Sequence, residues 1–271
     1  ADVTIGLSSS DTTEGTVAPA SLTFTAGDWN TPQTVTVTGV DDSLKDGSVA
    51  YTIVTAAATS ADGTYNGLAV ADVAVTTTDD DASGVIVSPT SGLLTSESGT
   101  TVEFTVVLTS QPAADVVIAL SSSNLAEGVV SPASLTFTAA DWSTPQVVSV
   151  TGVDDFTDDG VGIDGNKSFV IQTAPAVSAD PVYNGPDPAD VSVTNVDDDT
   201  AGVTLSPTTG LTTTEAGGTA TFNIVLNSQP LADVTIPLSS SNAAEGTVAP
   251  ASVTFTTATW STPQTVTVTG V

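Results

Sequence analysis

The sequence predicts an all-β protein made of tandem seven-stranded immunoglobulin-like β-sandwich domains. Threonine and valine, which are β-branched and favour strands, are abundant throughout the chain. Short runs of alternating apolar and polar residues are separated by turn signals such as Ser-Pro, Gln-Pro and Asn-Gly. Sequence motifs also recur at a spacing close to the length of one sandwich domain.

The repeat is carried by a Trp-x-Thr-Pro-Gln motif at Trp29, Trp142 and Trp260, with spacings of 113 and 118 residues. We place one complete unit at residues 83–199. Residues 1–82 then form the C-terminal part of a preceding unit, and residues 200–271 form the N-terminal part of a following one. Such phasing is expected of a segment from a longer tandem array. We assign the extra length of the second spacing to the loop 158–167.

Seven strands are predicted within the complete unit from the alternation and the turn signals. They are residues 85–87, 101–109, 115–121, 134–138, 147–153, 168–173 and 190–195. In the second strand Val102, Phe104 and Val106 face one way, because successive side chains of a strand point to opposite faces. One wet and one buried face per sheet accounts for this alternation.

The core of the unit is expected to be closed by Phe137 and Trp142, together with Leu135, Val148 and Val150. A tryptophan that recurs once per domain beside a strand indicates packing rather than a platform for stacking sugars. Only exposure of the tryptophan to solvent would favour the second interpretation.

The charge of the chain is strongly acidic. Lys45 and Lys167 are the only basic side chains against 31 acids, which gives a formal net charge of −29. This excludes a conventional nucleic-acid binder, which needs clustered lysine and arginine.

A 39% hydrophobic fraction separates the chain from acidic disordered proteins. Because cysteine and histidine are absent, disulfides, zinc sites and catalysis by these residues are excluded. No apolar run approaches the roughly 20 residues needed for membrane insertion.

The acids are concentrated in the back half of each unit. In the complete unit they are Asp154, Asp155, Asp158, Asp159 and Asp164 in one loop, and Asp197, Asp198 and Asp199 at the end of the last strand. The first unit repeats the pattern with Asp41, Asp42 and Asp46, and with Asp79, Asp80 and Asp81. At 4 Å and an effective dielectric constant near 20, each like-charge pair costs roughly 4 kcal/mol. A hard cation with six to eight oxygen ligands, Ca²⁺ rather than Mg²⁺, would relieve this repulsion.

The alternative is that these acids only keep the loops solvated. It accounts for scattered acids such as Asp115, Glu127 and Asp141, but not for the recurring triple aspartate. The two lysines lie in acidic loops, which favours charge compensation over an isopeptide cross-link.

The complete unit resembles a Calx-β domain. The matching residues are Gly84-Val85-Ile86-Val87, then Thr95-Ser96-Glu97-Ser98-Gly99 before Val102-Glu103-Phe104, then Val150-Thr151-Gly152-Val153-Asp154-Asp155 and the terminal acidic run. In that family a seven-stranded sandwich binds calcium at one tip through an early glutamate, an Asp-Asp loop and a terminal acidic run. The resemblance implies metal ligands at Glu97, Asp154, Asp155, Asp197, Asp198 and Asp199, and in the first unit at Asp41, Asp42, Asp79, Asp80 and Asp81. The tryptophan motif and the high threonine content resemble the repeats of large bacterial surface proteins.

We therefore expect a non-catalytic, extracellular structural or adhesive protein of a bacterial cell surface. Ca²⁺ at each domain junction would neutralise the acids and stiffen the chain into a rod or filament. Its partners would be adjacent repeats or identical subunits. The alternative is a carbohydrate-binding module of a secreted adhesin or enzyme, which would bind surface glycans through exposed aromatic side chains in a groove. A catalytic domain is not expected, because an active site need not be copied in every unit of an array.

Overall fold

The computed structural model describes residues 1–158 and 165–271, and in these ranges the regular secondary structure is entirely β-strand. The all-β prediction is confirmed. The strands fall into three chain segments, and each sheet takes its strands from a single segment. No helix long and apolar enough to cross a membrane occurs within the described residues.

The first segment, residues 1–82, contains seven strands. They are β1 Val3–Ser9, β2 Gly15–Ala18, β3 Ser21–Phe24, β4 Thr36–Gly39, β5 Val49–Thr55, β6 Thr59–Ser60 and β7 Val73–Thr77. One sheet has the order β3-β1-β5-β7, with β6 also paired to β1, and the other consists of β2 and β4.

The middle segment, residues 83–199, contains ten strands. They are β8 Val85–Ser88, β9 Leu93–Ser96, β10 Thr101–Leu108, β11 Val116–Ser122, β12 Gly128–Ser131, β13 Ser134–Phe137, β14 Gln146–Gly152, β15 Lys167–Thr173, β16 Val177–Ser178 and β17 Val191–Val196. The two sheets have the orders β12-β14-β10-β8 and β13-β11-β15-β17-β9, with β16 paired to β11.

The last segment, residues 200–271, contains six strands. They are β18 Val203–Ser206, β19 Thr219–Leu226, β20 Val234–Pro237, β21 Gly246–Ala249, β22 Ser252–Phe255 and β23 Gln264–Gly270. The two sheets are β18-β19-β23-β21 and β20-β22, and buried residues from both form one core.

The prediction of seven strands for the middle segment needs a correction. Every predicted strand is present, but β9, β12 and β16 were missed. These three strands have two to four residues each, too few to establish an alternating pattern. The most consequential is β9, because it pairs in parallel with β17 and so brings two distant chain segments to the same end of the sheet.

The core of the middle segment lies between its two sheets, as the alternation predicts. Leu135, Phe137, Val148 and Val150 are buried, and Trp142 is partly buried and packs against them. The remaining buried members are Phe104, Val106, Leu108, Val116, Ile118, Leu120, Phe169, Ile171, Ala176, Tyr183, Val191 and Val193. The Tyr183 hydroxyl accepts a hydrogen bond from Ser110 N at 3.0 Å and donates one to Ser110 O at 2.8 Å, so this polar group is satisfied inside the core.

The recurring tryptophan motif builds the same turn in each segment. Asp141 Oδ1 accepts hydrogen bonds from the backbone N–H and the hydroxyl of Thr138, and Asp28 does the same for Thr25. The glutamine that ends the motif donates from Nε2 to a threonine carbonyl ten residues earlier, at 2.7 Å for Gln146. The motif is therefore explained by local hydrogen bonding and packing.

The outer segments correspond to different parts of the middle one. The first contains the counterparts of β11–β17, and the last contains those of β8 and β10–β14. Equivalent aromatic side chains differ in exposure between the segments: Tyr183 of the middle segment is fully buried, whereas its counterpart Tyr65 of the first segment is 48% exposed. Trp29 is likewise 69% exposed, whereas Trp142 packs on the core. The exposed aromatics of the first segment are thus counterparts of packed positions.

Candidate metal centre at the domain tips

The acidic tip of the middle segment is assembled by the parallel pairing of β9 with β17. In this register Ser96 lies opposite Val196, so Glu97 and Asp197 are the first residues beyond the two paired strands. Glu97 N donates to Val196 O at 3.1 Å, and Glu97 Oε2 accepts from Asp198 N at 3.3 Å. A parallel pair places both carboxyl-terminal ends at one edge, which explains why residues a hundred positions apart meet.

The end of β14 brings the Asp-Asp loop to the same tip. Gly152, its last residue, lies so close to the Ser96 carbonyl and to Asn195 that a Cβ there would overlap both. A residue without a side chain is required for this approach. The chain then turns through Asp154 and Asp155, each of which accepts a hydrogen bond from the backbone N–H two residues further on.

Three carboxylates converge at this point. Glu97, Asp154 and Asp199 each offer an oxygen, and these atoms all lie within 4.8 Å of one another. Glu97 is only 4% exposed. Asp199 Oδ2 is buried and has no hydrogen-bond partner within the described part of the chain. A buried acceptor without a partner costs free energy, so a hydrogen-bond donor or a cation is expected at this oxygen.

The electrostatics of the tip favour a positive ligand. Burial raises the pKa of Glu97 to about 7, with the carboxylates of Asp197 and Asp155 adding to the rise and the Asp198 N–H opposing it. Burial likewise raises the pKa of Asp199, and Asp154 is the neighbouring carboxylate that adds most. Both shifts mean that the folded tip disfavours its own negative charge.

Other predicted ligands of this tip surround the three convergent carboxylates. Asp155 and Asp197 lie close enough to raise the pKa of Glu97, and Asp197 Oδ1 also accepts from Asp199 N at 2.9 Å. Asp198 is exposed and contributes its backbone N–H to Glu97. Asp159 and Asp164 lie outside the described residues.

Two residues of this tip were not recognised from the sequence. Asn195 is buried and donates from Nδ2 to Val153 O at 3.0 Å and to Glu127 Oε2 at 3.4 Å, while its Oδ1 accepts from Thr95 Oγ1. Glu127, expected to be a scattered solvating acid, is only 5% exposed. That expectation was wrong. A usable signal was present, because Glu-Gly recurs at Glu14, Glu127 and Glu245.

The tip of the first segment gathers the equivalent acids around a more open groove. Its lining includes Asp41 and Asp42 from the loop and Asp79, Asp80 and Asp81 from the strand end. The three carboxylates that converge within 4.8 Å are, however, Glu14, Asp42 and Asp46. Glu14 and Asp46 were not among the predicted ligands, and Glu14 occupies the position equivalent to Glu127.

Charge compensation by lysine distinguishes the first tip. Lys45 Nζ lies 2.9 Å from Asp79 Oδ2, which agrees with the expected charge compensation, although the sequence did not identify the partner. The hydrogen bond from Lys45, with further ones from the N–H groups of Asp81 and Gly47, holds the pKa of Asp79 below its usual range. Burial raises the pKa of Asp81 and of Glu14, and neighbouring carboxylates add to both rises.

The donor set fits a hard cation. The three candidate ligands that converge at each tip are all carboxylates, and such oxygen-rich loops suit Ca²⁺ or Mg²⁺ rather than zinc. The acidic clusters could therefore bind a metal. In the last segment Glu215, the counterpart of Glu97, is exposed.

No protein-family model matches the chain, and no curated protein matches it either. Among solved structures, it is similar to the apo form of the Calx CBD1 domain, with 16% identity, a TM-score of 0.32, and coverage of 42% of this chain and 96% of that one. It is also similar to CBD12 from CALX1.2, with 14% identity, a TM-score of 0.32, and coverage of 69% and 74%.

A third similar structure is domains 1–6 of the surface layer protein SbsC, with 11% identity, a TM-score of 0.29, and coverage of 98% of this chain and 28% of that one. Both groups named by the sequence resemblance, Calx-β domains and bacterial surface repeats, are thus present among the similar structures. At these TM-scores the likenesses carry no argument about function, and the fold class rests on the chain's own strand order.

Proposed function

We propose that this chain is a non-catalytic, extracellular structural or adhesive segment of a bacterial cell surface, whose β-sandwich repeats bind Ca²⁺ at their tips. The ion would stiffen the array into a rod or filament. The partners would be adjacent repeats or identical subunits. One observation carries the proposal: Glu97, Asp154 and Asp199 converge within 4.8 Å, and a buried oxygen of Asp199 has no hydrogen-bond partner among the described residues.

The tip would hold the ion through residues from three separate chain regions. Glu97 follows β9, Asp154 follows β14 and Asp199 follows β17, so bound Ca²⁺ would tie both sheets together at this end. The ion would supply the positive charge that the tip lacks and would allow all three side chains to remain ionised. An ion that binds the folded state alone stabilises it by about 2.7 kcal/mol at a hundredfold excess over its Kd.

Stiffening would follow from the short distance between the tip and the next segment. Three residues, Thr200 to Gly202, separate Asp199 from the first residue of β18. Such a connection is too short to act as a flexible tether. Order imposed on the tip by an ion would therefore pass directly to the next domain.

The alternative of a carbohydrate-binding module is not favoured. Trp29, Phe24 and Tyr65 do line an apolar pocket of the first segment. Their counterparts Phe137 and Tyr183 are buried in the middle segment, and Trp142 packs against its core. In the middle segment these positions therefore belong to the sandwich core, whereas in the first segment the exposure of Trp29 is an observation on the side of the alternative.

The proposal is tested by thermal melting and hydrodynamic size of the full chain, first in excess Ca²⁺ and then in excess EGTA. We expect chelation to lower the melting temperature and to reduce the elongation of the chain. Mg²⁺ at the same concentration controls for ionic strength and should substitute poorly, because it prefers a near-ideal octahedral site. Melting curves that coincide in Ca²⁺ and EGTA would overturn the proposal.

A further inference from the structure

The two joints between consecutive segments contain the same backbone hydrogen bond. At the first joint Gln111 N donates to Ser43 O at 2.7 Å, and at the second Gln229 N donates to Phe156 O at 2.8 Å. Ser43 and Phe156 both follow directly after an Asp-Asp pair, and both glutamines lie in a Ser-Gln-Pro sequence. At both joints this contact therefore joins the acidic loop of one segment to the Ser-Gln-Pro loop of the next segment.

The accepting surface is built in the same way at both joints. Gln111 Nε2 donates to Ala139 O at 3.2 Å, and Gln229 Nε2 donates to Thr257 O at 2.9 Å. Each glutamine side chain is thus anchored to the tryptophan turn of its own segment, while its backbone N–H reaches the preceding segment. The serine before each glutamine, Ser110 or Ser228, is buried, so the Ser-Gln-Pro loop is packed against its own segment.

The second joint has contacts that differ from those of the first. The rings of Phe156 and Trp260 lie 6.3 Å apart at a tilt of 38°. Asp158 Oδ2 also accepts a hydrogen bond from Ala201 N at 2.7 Å. At the first joint the residue equivalent to Phe156 is Ser43, and a parallel bridge between Leu44 and Gln111 stands there.

The backbone of Phe156 supports a specific role for this residue. Its φ of 65° lies in the left-handed region, which is unfavourable for a bulky side chain. Phe156 is also 54% exposed, so the packing of its own domain does not require the ring. Strained residues of this kind persist where surrounding contacts hold them, and here those contacts come from the next domain.

We propose that each repeat carries a docking surface for the preceding repeat, formed by its Ser-Gln-Pro loop and its tryptophan turn. The partner is the loop that follows the Asp-Asp pair of the neighbouring repeat. The glutamine N–H sets the orientation at every joint, and an aromatic residue at the position of Phe156 makes a joint stiffer than a serine does. These contacts are made by protein groups alone, so they can be tested in the absence of metal.

The test is a spin-label distance measurement on the full chain, which has no native cysteine. Ser21, Ser134 and Ser252 are equivalent exposed positions of β3, β13 and β22. Cysteines at Ser21 and Ser134 report on the first joint, and cysteines at Ser134 and Ser252 report on the second. In EGTA, Phe156→Ser should broaden the distance distribution of the second joint, whereas Ser43→Phe should narrow that of the first.

The control is Val147→Ser, which removes a half-exposed apolar side chain from β14 of the same domain. It should leave both distributions unchanged. If Phe156→Ser leaves the second distribution as narrow as in the parent chain, or broadens it no more than Val147→Ser does, the inference is overturned. A response to Phe156→Ser combined with no response to Ca²⁺ would contradict the proposed function and leave the docking surface intact.

Discussion

The tips of the first and middle segments carry nearly the same aspartates but differ in burial and in charge balance. At the middle tip β9 delivers Glu97, which is 4% exposed, into the aspartate cluster. The strands of residues 1–82 correspond to β11–β17 alone, the acids of this segment line an open groove, and Lys45 pairs with Asp79 at its edge. Three carboxylates converge at each tip, but only the middle cluster includes a buried one, Glu97. The comparison therefore separates the effect of burial from the effect of the acidic sequence pattern.

The largest effect is expected from Glu97→Gln. This change removes a charged candidate ligand from the middle tip, and with it a buried carboxylate whose ionised form is unfavourable without a cation. At pH 8 the variant should therefore melt at a higher temperature than the parent chain in EGTA, but should gain much less from Ca²⁺. Calorimetry of the parent chain and of Glu97→Gln, each in EGTA and in Ca²⁺, measures the four melting temperatures that this prediction compares.

The matched control for this variant is Glu103→Gln, which removes the same charge from an exposed position on β10. Glu103 accepts only a long hydrogen bond from Ser149 Oγ, at 3.4 Å, among its described contacts. Its loss should leave the calcium response unchanged. An equal loss of calcium response in the two variants would show that total charge, and not the tip, governs the effect.

The second expectation concerns pH in the absence of metal. The pKa of Glu97 is raised from about 4.5 to about 7 on folding, so the protonated form is favoured in the folded state. Its contribution to stability is complete below about pH 4.5 and is lost as the pH rises through 7. The free energy of unfolding should fall over this window by at most about 3 kcal/mol. Denaturant titrations in EGTA measure the fall, and Glu97→Gln should flatten it. A fall of equal size in that variant would assign the effect to other acids.

The sequence predicted the strands with clear alternation and the acids that repeat, because both signals are local. It also named Glu97 as a candidate metal ligand through its resemblance to a known domain type, and the structure places Glu97 in the acidic cluster. It could not predict that β9 pairs in parallel with β17, because four residues carry no alternating pattern. That pairing is what buries Glu97 beside Asp197.

The residues that were missed are those whose role depends on long-range packing. Asn195 ties Thr95, Val153 and Glu127 together, and nothing in the neighbouring sequence indicates these contacts. Glu127 could have been found, because the Glu-Gly pair recurs in every segment. Part of that recurrence is steric, since a Cβ at Gly128 would overlap the ring of Phe169.

The smallest effect is expected from Lys45→Gln at the first tip. Lys45 is partly exposed, and its ion pair with Asp79 is therefore worth little to folding, so the melting temperature in EGTA should change by no more than a few degrees. Its charge, however, opposes a cation in the neighbouring groove, and its removal leaves Asp79 Oδ2 with the hydrogen bond from Gly47 N but without the ammonium group. In a Glu97→Gln background, isothermal titration should show Ca²⁺ binding that is several-fold tighter after Lys45→Gln, as expected for one charge removed at close range.

Lys167→Gln makes the same change in net charge in the other domain and should leave this affinity unchanged, since charges separated by more than about 8 Å are largely screened at physiological salt. Equal or weaker binding after Lys45→Gln would mean that the lysine organises the first tip for an ion instead of substituting for one, and the contrast between the two tips would then rest on burial alone.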